Sequence, residues 1–228
     1  MQSRARSTGD SLVIAIDGPS GSGKSSTSRA VASRLGLAYL DTGSMYRAIA
    51  LGCLRAGLLE SPDRDRITDF ARSAGLAVTT DPASFSIALD GVDVTDEIHS
   101  PQVSAQVSTV AVIPEVRAIL IAQMRSIVDG AGRIVVEGRD ITTVVCPDAQ
   151  VRVLLVADAK ARLARRDAQV GGLSSAELAD QVVRRDRDDA TVSQFLVPAP
   201  GVTLIDSTDM TLDEVVEAVI ALVPPRAG

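Results

Sequence analysis

The clearest chemical pattern in the sequence lies near the amino terminus, from Gly18 to Ser25. It reads Gly-Pro-Ser-Gly-Ser-Gly-Lys-Ser and fits G-x-x-x-x-G-K-[ST], a loop that wraps phosphate groups. Gly21 and Gly23 can take positive φ, which lets backbone N–H groups point at phosphate oxygens. Lys24 is then predicted to reach the β- and γ-phosphates, and the Ser25 hydroxyl to hold Mg²⁺. An ordinary Gly/Ser-rich surface turn is the alternative.

The elements on either side of this loop favour phosphate binding. Leu12 to Ile16 is an apolar run of the length of a buried parallel strand, and Ser26 to Leu35 has the pattern of a helix. The positive end of that helix dipole would face the bound anion. The residues predicted to contact a nucleoside triphosphate such as ATP are Gly18, Pro19, Ser20, Gly21, Ser22, Gly23, Lys24, Ser25 and Ser26.

Further apolar runs alternate with helical patterns along the chain. They are Ala38–Leu40, Ile134–Val136, Val151–Val156 and Val202–Ile205. Together with the first strand they predict an α/β fold with a five-stranded parallel sheet flanked by helices, in which ligands bind at the carboxyl ends of the strands. Predicted helices begin at Thr42 as N-cap, at Arg64, at Pro114 and at a Thr211–Glu214 capping box.

The pattern changes between Leu76 and Val94, where short β-like runs surround an Asp90-Gly91 hairpin signal. We therefore predict a small inserted subdomain over residues 63–106, with a core formed by residues 11–62 and 107–223. His99 is interpreted as a solvated loop residue of the insertion, since a lone histidine is a poor metal site. An Arg-rich pair of helical patterns over residues 158–190, including Arg162 and Arg165, predicts a lid that closes over phosphates.

Composition limits the remaining possibilities. The chain has 228 residues, 46% of them hydrophobic, which favours one domain. Its net charge of −6 argues against non-specific binding to nucleic acid or an anionic membrane. Cys53 and Cys146 are predicted to be buried free thiols. No apolar run approaches the ~20 residues of a membrane span and no signal peptide is visible, so we expect a cytoplasmic protein.

Two lysines stand against 21 arginines, so guanidinium groups must form nearly every cationic site. Arg47, Arg117 and Arg139 follow predicted strand or helix edges and are candidates to hold an anionic second substrate. Glu137, an acid after an apolar strand, is a candidate to orient Mg²⁺-bound water. The chain contains no asparagine, which excludes the Asn-Lys-x-Asp motif of guanine-specific switches.

At several stretches the sequence resembles the bacterial cytidylate kinases, within the nucleoside monophosphate kinases. The resemblance covers nearly the whole length and rests on five segments, the second and third being the most specific. They are Ile16–Ser25, Leu40–Arg47, Val136–Ile141, Val144–Ala149 and Arg185–Asp189.

The resemblance implies phosphorylation of CMP and dCMP by ATP with Mg²⁺, in a monomer. From the loop motif, the Arg-rich segment and the strand edges, we expect catalytic roles for Lys24, Arg139, Arg162 and Arg165. The resemblance also implies that Thr42, Arg47 and Arg139 grip the acceptor phosphate, that Ser108, Arg117 and Asp140 read cytosine, and that Arg185 and Asp189 face the sugar. Two residues depart from the family pattern: Thr142 replaces a usual glycine, and Val192 a common arginine.

Two other functions remain open from the residues alone. A small-metabolite kinase that phosphorylates a hydroxyl would need a carboxylate near that group, and Asp41 or Asp140 would serve. A nucleotide-gated binding protein would use the loop as a switch and would have no acceptor. The missing guanine motif and the Arg-rich segment argue against the second.

Overall fold

The computed structural model of the protein describes residues 11–165 and 197–225, with the backbone of 166–170 continuing a helix. Arg185, Asp189 and Val192 lie outside the described residues, as does most of the predicted lid. Their predicted roles therefore stay predictions.

Five strands form the main sheet, all parallel and in the order β2-β6-β1-β7-β8. The strands of the chain are β1 (Leu12–Asp17), β2 (Ala38–Asp41), β3 (Leu76–Val78), β4 (Ile87–Leu89), β5 (Val92–Asp93), β6 (Arg133–Gly138), β7 (Val151–Val156) and β8 (Thr203–Asp206). The central strands are almost continuously apolar because both faces of the sheet are covered. The predicted fold class is confirmed.

Helices cover both faces of this sheet. They are α1 (Lys24–Leu35), α2 (Thr42–Arg55), α3 (Arg64–Ser73), α4 (Pro101–Ala111), α5 (Pro114–Ala131), α6 (Ala159–Val170) and α7 (Leu212–Ile220). Within the described ranges no single helix is long and apolar enough to cross a membrane. Helices α4 and α5 reach that length and hydropathy only as a pair, across a bend of 101°.

Alternation along the central strands divides the core into two clusters. In β6, Ile134 and Val136 pack toward α2, α4 and α5, while Val135 packs toward α1 and α7. Cys53 and Cys146 belong to the first cluster and are free, buried thiols as predicted. Burial raises the pKa of each to about 11, so neither is a reactive thiolate at neutral pH.

A second, antiparallel sheet of three strands, β3-β4-β5, lies within the predicted insertion. Its hairpin turns at Asp90 (φ 51°) and Gly91 (φ 80°), the positive-φ pair that a two-residue turn needs. The Thr80 carbonyl accepts a hydrogen bond of 2.8 Å from the Tyr39 amide of edge strand β2. Helix α4 runs through residue 106, and Ile87 and Leu89 share a core cluster with α2. The insertion therefore packs on the parent domain rather than around a core of its own.

Three local features differ from the sequence interpretation. Asp41, not Thr42, caps α2, because its carboxylate accepts the Ser44 amide at 3.1 Å while Thr42 already lies in the first turn. Helix α4 was not predicted, although Ser100 caps it and Pro101 begins it. The segment after β6 forms a π-helical turn from Ile141 to Val145.

Replacing Gly52 of α2 by alanine should destabilise the fold. A methyl group there would overlap the Phe70 ring and lie 2.9 Å from Leu89 Cδ2, at the contact between α2 and the inserted sheet. Overpacking of this kind typically costs about 1–3 kcal/mol, which urea unfolding would measure. Gly130→Ala is the matched control, since a methyl group on this exposed α5 glycine meets nothing within 4 Å. We expect it to stabilise by up to about 1 kcal/mol; equal effects of the two changes would contradict the packing argument.

Candidate active site

The phosphate-binding loop connects β1 to α1 at the carboxyl edge of the main sheet. Gly21 and Gly23 have φ values of 78° and 88°, as the sequence predicts. Gly23 directly precedes α1 and has no side chain to cap the helix, which suits a helix end that receives an anion. A methyl group at Gly21 would lie 2.6 Å from the Arg162 carbonyl oxygen, so α6 packs closely on the loop.

Glu137, at the end of β6, is a buried carboxylate beside the predicted catalytic lysine. Its Oε2 lies 3.9 Å from Lys24 Nζ, and its Oε1 accepts a hydrogen bond of 3.1 Å from the Tyr39 hydroxyl. Burial and the neighbouring Asp41 raise the pKa of Glu137, whereas Lys24 and the hydroxyls of Ser25 and Tyr39 lower it. Perturbed carboxylates of this kind are typical of functional sites.

The Tyr39 hydroxyl is held toward Glu137 by aromatic packing. The Arg29 guanidinium stacks 5.2 Å from the centre of the Tyr39 ring and 5.4 Å from that of Phe85. The two rings meet edge to face with their centres 5.6 Å apart. Because Phe85 belongs to the inserted segment and Tyr39 to β2, this stack joins the insertion to the residues around Lys24.

Thr42 and Arg47 lie opposite the phosphate loop, at the start of α2. The Thr42 hydroxyl donates to the Glu137 carbonyl at 2.8 Å. Arg47 is 5% exposed, and its Nη1 donates to the Ile98 carbonyl at 2.9 Å and to Ser104 Oγ at 3.0 Å. These two bonds fix the guanidinium in the wall of the cleft. An anion that binds Arg47 therefore loses little affinity to ordering of its side chain.

The loop after β6 brings Arg139 and Asp140 to the same cleft. Asp140 forms an ion pair with Arg117 of α5, in which both side chains are largely buried. Arg139 Nη1 donates a hydrogen bond of 2.6 Å to the carbonyl of Gly18, the first residue of the phosphate loop. Gly138 has no room for a side chain, since a methyl group there would overlap Thr42 Oγ1 and Ile141.

Two arginines of α6 contact the outer side of the phosphate loop. Arg162 Nη1 donates to the Ser20 carbonyl at 3.2 Å and Arg165 Nη1 to the Ser22 carbonyl at 3.4 Å. Arg165 is also held by Ser207, through Oγ at 3.0 Å and the carbonyl at 2.6 Å. Ser207 is fully buried after β8 and was missed by the sequence analysis, since no local motif marks it.

One cleft contains most of the predicted site. Its walls are formed by Ser20, Gly21, Gly23, Lys24, Ser25, Ser26, Asp41, Thr42, Gly43, Tyr46, Arg47, His99, Val107, Ala111, Arg117, Glu137, Gly138, Arg139 and Asp140. Among the predicted site residues that the structure describes, Gly18, Pro19, Ser22, Ser108, Arg162 and Arg165 do not line it. Val107 and Ala111, on either side of Ser108, do. His99 is exposed, as predicted, but it borders the cleft rather than a remote loop. Tyr46, Val107 and Ala111 are apolar or aromatic contacts that the sequence analysis did not identify.

The residues in this cleft fit a triphosphate with Mg²⁺. The glycine backbone, the Lys24 ammonium and the helix end suit phosphate oxygens, and the Ser25 hydroxyl with the nearby Glu137 carboxylate suits a hard cation. No group of three or more histidine, cysteine or acidic side chains in the described part of the chain forms a metal cage.

Comparisons with known proteins identify the family. A family model described as cytidylate kinase matches residues 14–225. The chain belongs to the cytidylate kinase family. A cytidylate kinase of Cutibacterium acnes is 58% identical over 93% of this chain and 96% of the relative, and one of Rhodococcus opacus is 47% identical over 96% and 97%. Among solved structures, TT1252 of Thermus thermophilus matches 94% of this chain and 99% of that one with a TM-score of 0.47 and 18% identity.

Lys24→Ala should reduce ATP-dependent turnover by at least about 100-fold, because the ammonium neutralises charge that develops at the transferring group. Its partner Glu137 would also be left buried without its cation. Initial rates at saturating ATP measure the effect, with folding checked by thermal denaturation.

The control is Lys160→Ala, which removes the other lysine of the chain from an exposed position on α6. We expect turnover close to that of the unmodified protein. A folded Lys24→Ala variant that keeps more than about a tenth of the activity, a loss below about 1.4 kcal/mol, would contradict the assigned role.

Proposed function

We propose that the protein catalyses the ATP-dependent phosphorylation of CMP, and of dCMP, to the diphosphate. The observation that carries the proposal is the Arg117–Asp140 pair, which lies in the same cleft as the phosphate loop. A carboxylate beside a guanidinium matches the Watson–Crick edge of cytosine, which presents an amino donor next to a ring-nitrogen acceptor. Uracil reverses both groups, so the same pair would discriminate against UMP.

The acceptor phosphate would bind between the base-reading pair and the phosphate loop, at Thr42, Arg47 and Arg139. The buried, hydrogen-bonded Arg47 and the loop-anchored Arg139 offer two preset guanidinium groups. A nucleoside monophosphate has a second pKa of about 6, so at neutral pH the acceptor is mostly a dianion. It needs no general base, and direct in-line transfer then depends on positioning and on charge neutralisation.

On the donor side, the loop backbone and Lys24 would hold the β- and γ-phosphates. Ser25 would hold Mg²⁺, which would supply positive charge to neutralise the phosphates. Glu137, which accepts a hydrogen bond from the Tyr39 hydroxyl and lies beside Lys24, would orient water around the metal. Arg162 and Arg165 contact the loop through carbonyls, so their approach to the transferring group would require a rotation of their guanidinium groups.

The remaining assignments are part of the same proposal. Arg185 and Asp189 would contact the sugar, and Ser108 would reach cytosine after a small shift of α4. Residues 158–190 would act as a lid, and residues 63–106 as the monophosphate-binding subdomain. The protein would be a cytoplasmic monomer, with no nucleic-acid or membrane partner.

A kinase that phosphorylates a hydroxyl is the alternative from the enzyme class. Its general base would have to be Asp41 or Asp140. The Asp41 carboxylate caps α2 and the Asp140 carboxylate is paired with Arg117, so each already has a partner within the protein. No observation favours the nucleotide-gated binding protein.

Initial rates of ADP formation with ATP and Mg²⁺ distinguish these functions. The proposal predicts little hydrolysis with ATP alone, rapid ADP formation with CMP, and an equal amount of CDP. A hydroxyl kinase would respond to sugar acids and not to CMP. A nucleotide-gated protein would hydrolyse ATP slowly whatever acceptor is added. Absence of CDP formation by the folded protein would overturn the proposal.

Asp140→Ala should reduce the selectivity for CMP over UMP, measured as the ratio of their kcat/KM values. The reduction should correspond to about one to a few kcal/mol. The loss should fall mainly on CMP, because only cytosine offers the amino group that the carboxylate accepts. Asp148→Ala, which alters an exposed carboxylate in the following loop, is the control and should leave the ratio unchanged. An equal loss for CMP and UMP would instead make Asp140 a structural or catalytic residue.

A further inference from the structure

The last residue of β1, Asp17, is a buried carboxylate that accepts three hydrogen bonds from the loop after β6. Its Oδ1 accepts the Ile141 amide at 2.8 Å, and its Oδ2 accepts the Thr142 amide at 2.9 Å and the Thr142 hydroxyl at 2.6 Å. Asp17 is 3% exposed and Thr142 is equally buried. Burial raises the pKa of Asp17, while the bonds from Thr142 and Ile141 lower it.

These bonds join the two halves of the cleft at one side chain. Asp17 is followed directly by Gly18, which begins the phosphate loop, and Ile141 is preceded directly by Arg139 and Asp140. A second contact runs parallel to the first, since Arg139 donates to the Gly18 carbonyl. A displacement of the Asp17 carboxylate would therefore move the acceptor-side loop relative to the phosphate loop.

The bonds that Asp17 accepts also affect how the turn after Asp140 is capped. Asp140 is the N-cap residue of the π-helical turn Ile141–Val145, yet it makes no capping bond with its side chain. An aspartate at an N-cap ordinarily accepts the amide of the second or third residue of the following turn. Here the carboxylate of Asp17, from a different strand, accepts the amides of the first and second residues, Ile141 and Thr142. The Asp140 carboxylate is thereby left to pair with Arg117 in the cleft.

We infer that Asp17 and Thr142 are positioning residues that set acceptor selectivity by holding Asp140 toward the base. The inference deepens the proposed function and rests on it. Neither residue lines the cleft, so neither is a catalytic residue. The Thr142 hydroxyl adds a third bond to the two that backbone amides supply to Asp17. We therefore expect the Asp17 carboxylate to matter more than the Thr142 hydroxyl.

The test measures kcat and KM for CMP, UMP and ATP in variants of the full chain. Thr142→Val removes one hydroxyl with little change of shape. Because the hydrogen bond from that hydroxyl to the Asp17 carboxylate is lost, the KM for CMP should rise at least about threefold. The KM for ATP should change less than twofold. Asp17→Asn should raise the KM for CMP more, at least about tenfold. The NH₂ group of the asparagine side chain would replace one acceptor oxygen and face a backbone N–H that also donates.

The selectivity for CMP over UMP distinguishes a positioning role from a merely structural one, because a structural defect would lower activity toward both acceptors equally. The selectivity should fall in both variants, because a turn that is held less firmly by Asp17 lets Asp140 shift relative to the base. The fall should be larger in Asp17→Asn, which also disturbs the bonds from the two backbone amides. Thr142→Ser keeps the hydroxyl and should restore selectivity. Thr143→Val is the matched control, since Thr143 is the exposed neighbour in the same turn; it should behave as the unmodified protein. Amide hydrogen exchange at residues 141 and 142 should accelerate in Thr142→Val and not in Thr143→Val.

The outcomes separate this inference from the proposed function. If the unmodified protein forms no CDP, the proposed function is wrong and the inference, which rests on it, is wrong too. If it forms CDP and Thr142→Val exchanges faster but keeps its KM and selectivity, the bonds are structural only and the inference is overturned. Should Asp17→Asn fail to fold, Thr142→Val alone decides. Equal losses toward CMP and UMP in a folded Thr142→Val would also overturn it.

Discussion

The pairing of β1 with β6 is the constraint on which the rest of the site depends. The two strands run parallel in register over six residues, ending with Asp17 opposite Gly138. The phosphate loop and the acceptor loop therefore leave the sheet side by side. A slip of one residue would turn Asp17 to the other face. Two sets of bonds follow from this register: the one that Arg139 donates to the Gly18 carbonyl, and those that Asp17 accepts from the π-helical turn.

The same strand end places a carboxylate, Glu137, in the interior, and the surrounding residues offset the cost of burying it. Lys24 supplies the counter-charge and Tyr39 a hydrogen bond, since an unpaired buried charge would be strongly destabilising. Tyr39 is in turn packed by Arg29 and Phe85. The lysine that is predicted to bind phosphate thus has a partner within the protein, and both residues line the cleft.

Local patterns in the sequence predicted much of the fold and part of the site. The strand, glycine loop and helix around Lys24 were predicted from periodicity and one motif, and the resemblance to cytidylate kinases is confirmed by the family match. Contacts between distant residues could not be predicted: Ser207 reaches Arg165 from 42 positions away, and Asp17 reaches Thr142 from 125. The N-cap of α2 was placed one residue late because Asp41 and Thr42 are both good caps, and only the backbone geometry distinguishes them.

The acceptor side consists of charged groups that are each held by a neighbour rather than by the ligand. Arg47 is fixed by Ile98 and Ser104, Arg117 by Asp140, and Arg139 by Gly18. Because these guanidinium groups are already ordered, a bound anion loses little affinity to side-chain entropy. Each also has a competing partner within the protein, and a ligand must match or replace that partner's bond. Under the proposed function, selectivity would depend on the backbone carbonyls and buried side chains that set those bonds. Residues outside the cleft would then contribute to the choice of acceptor.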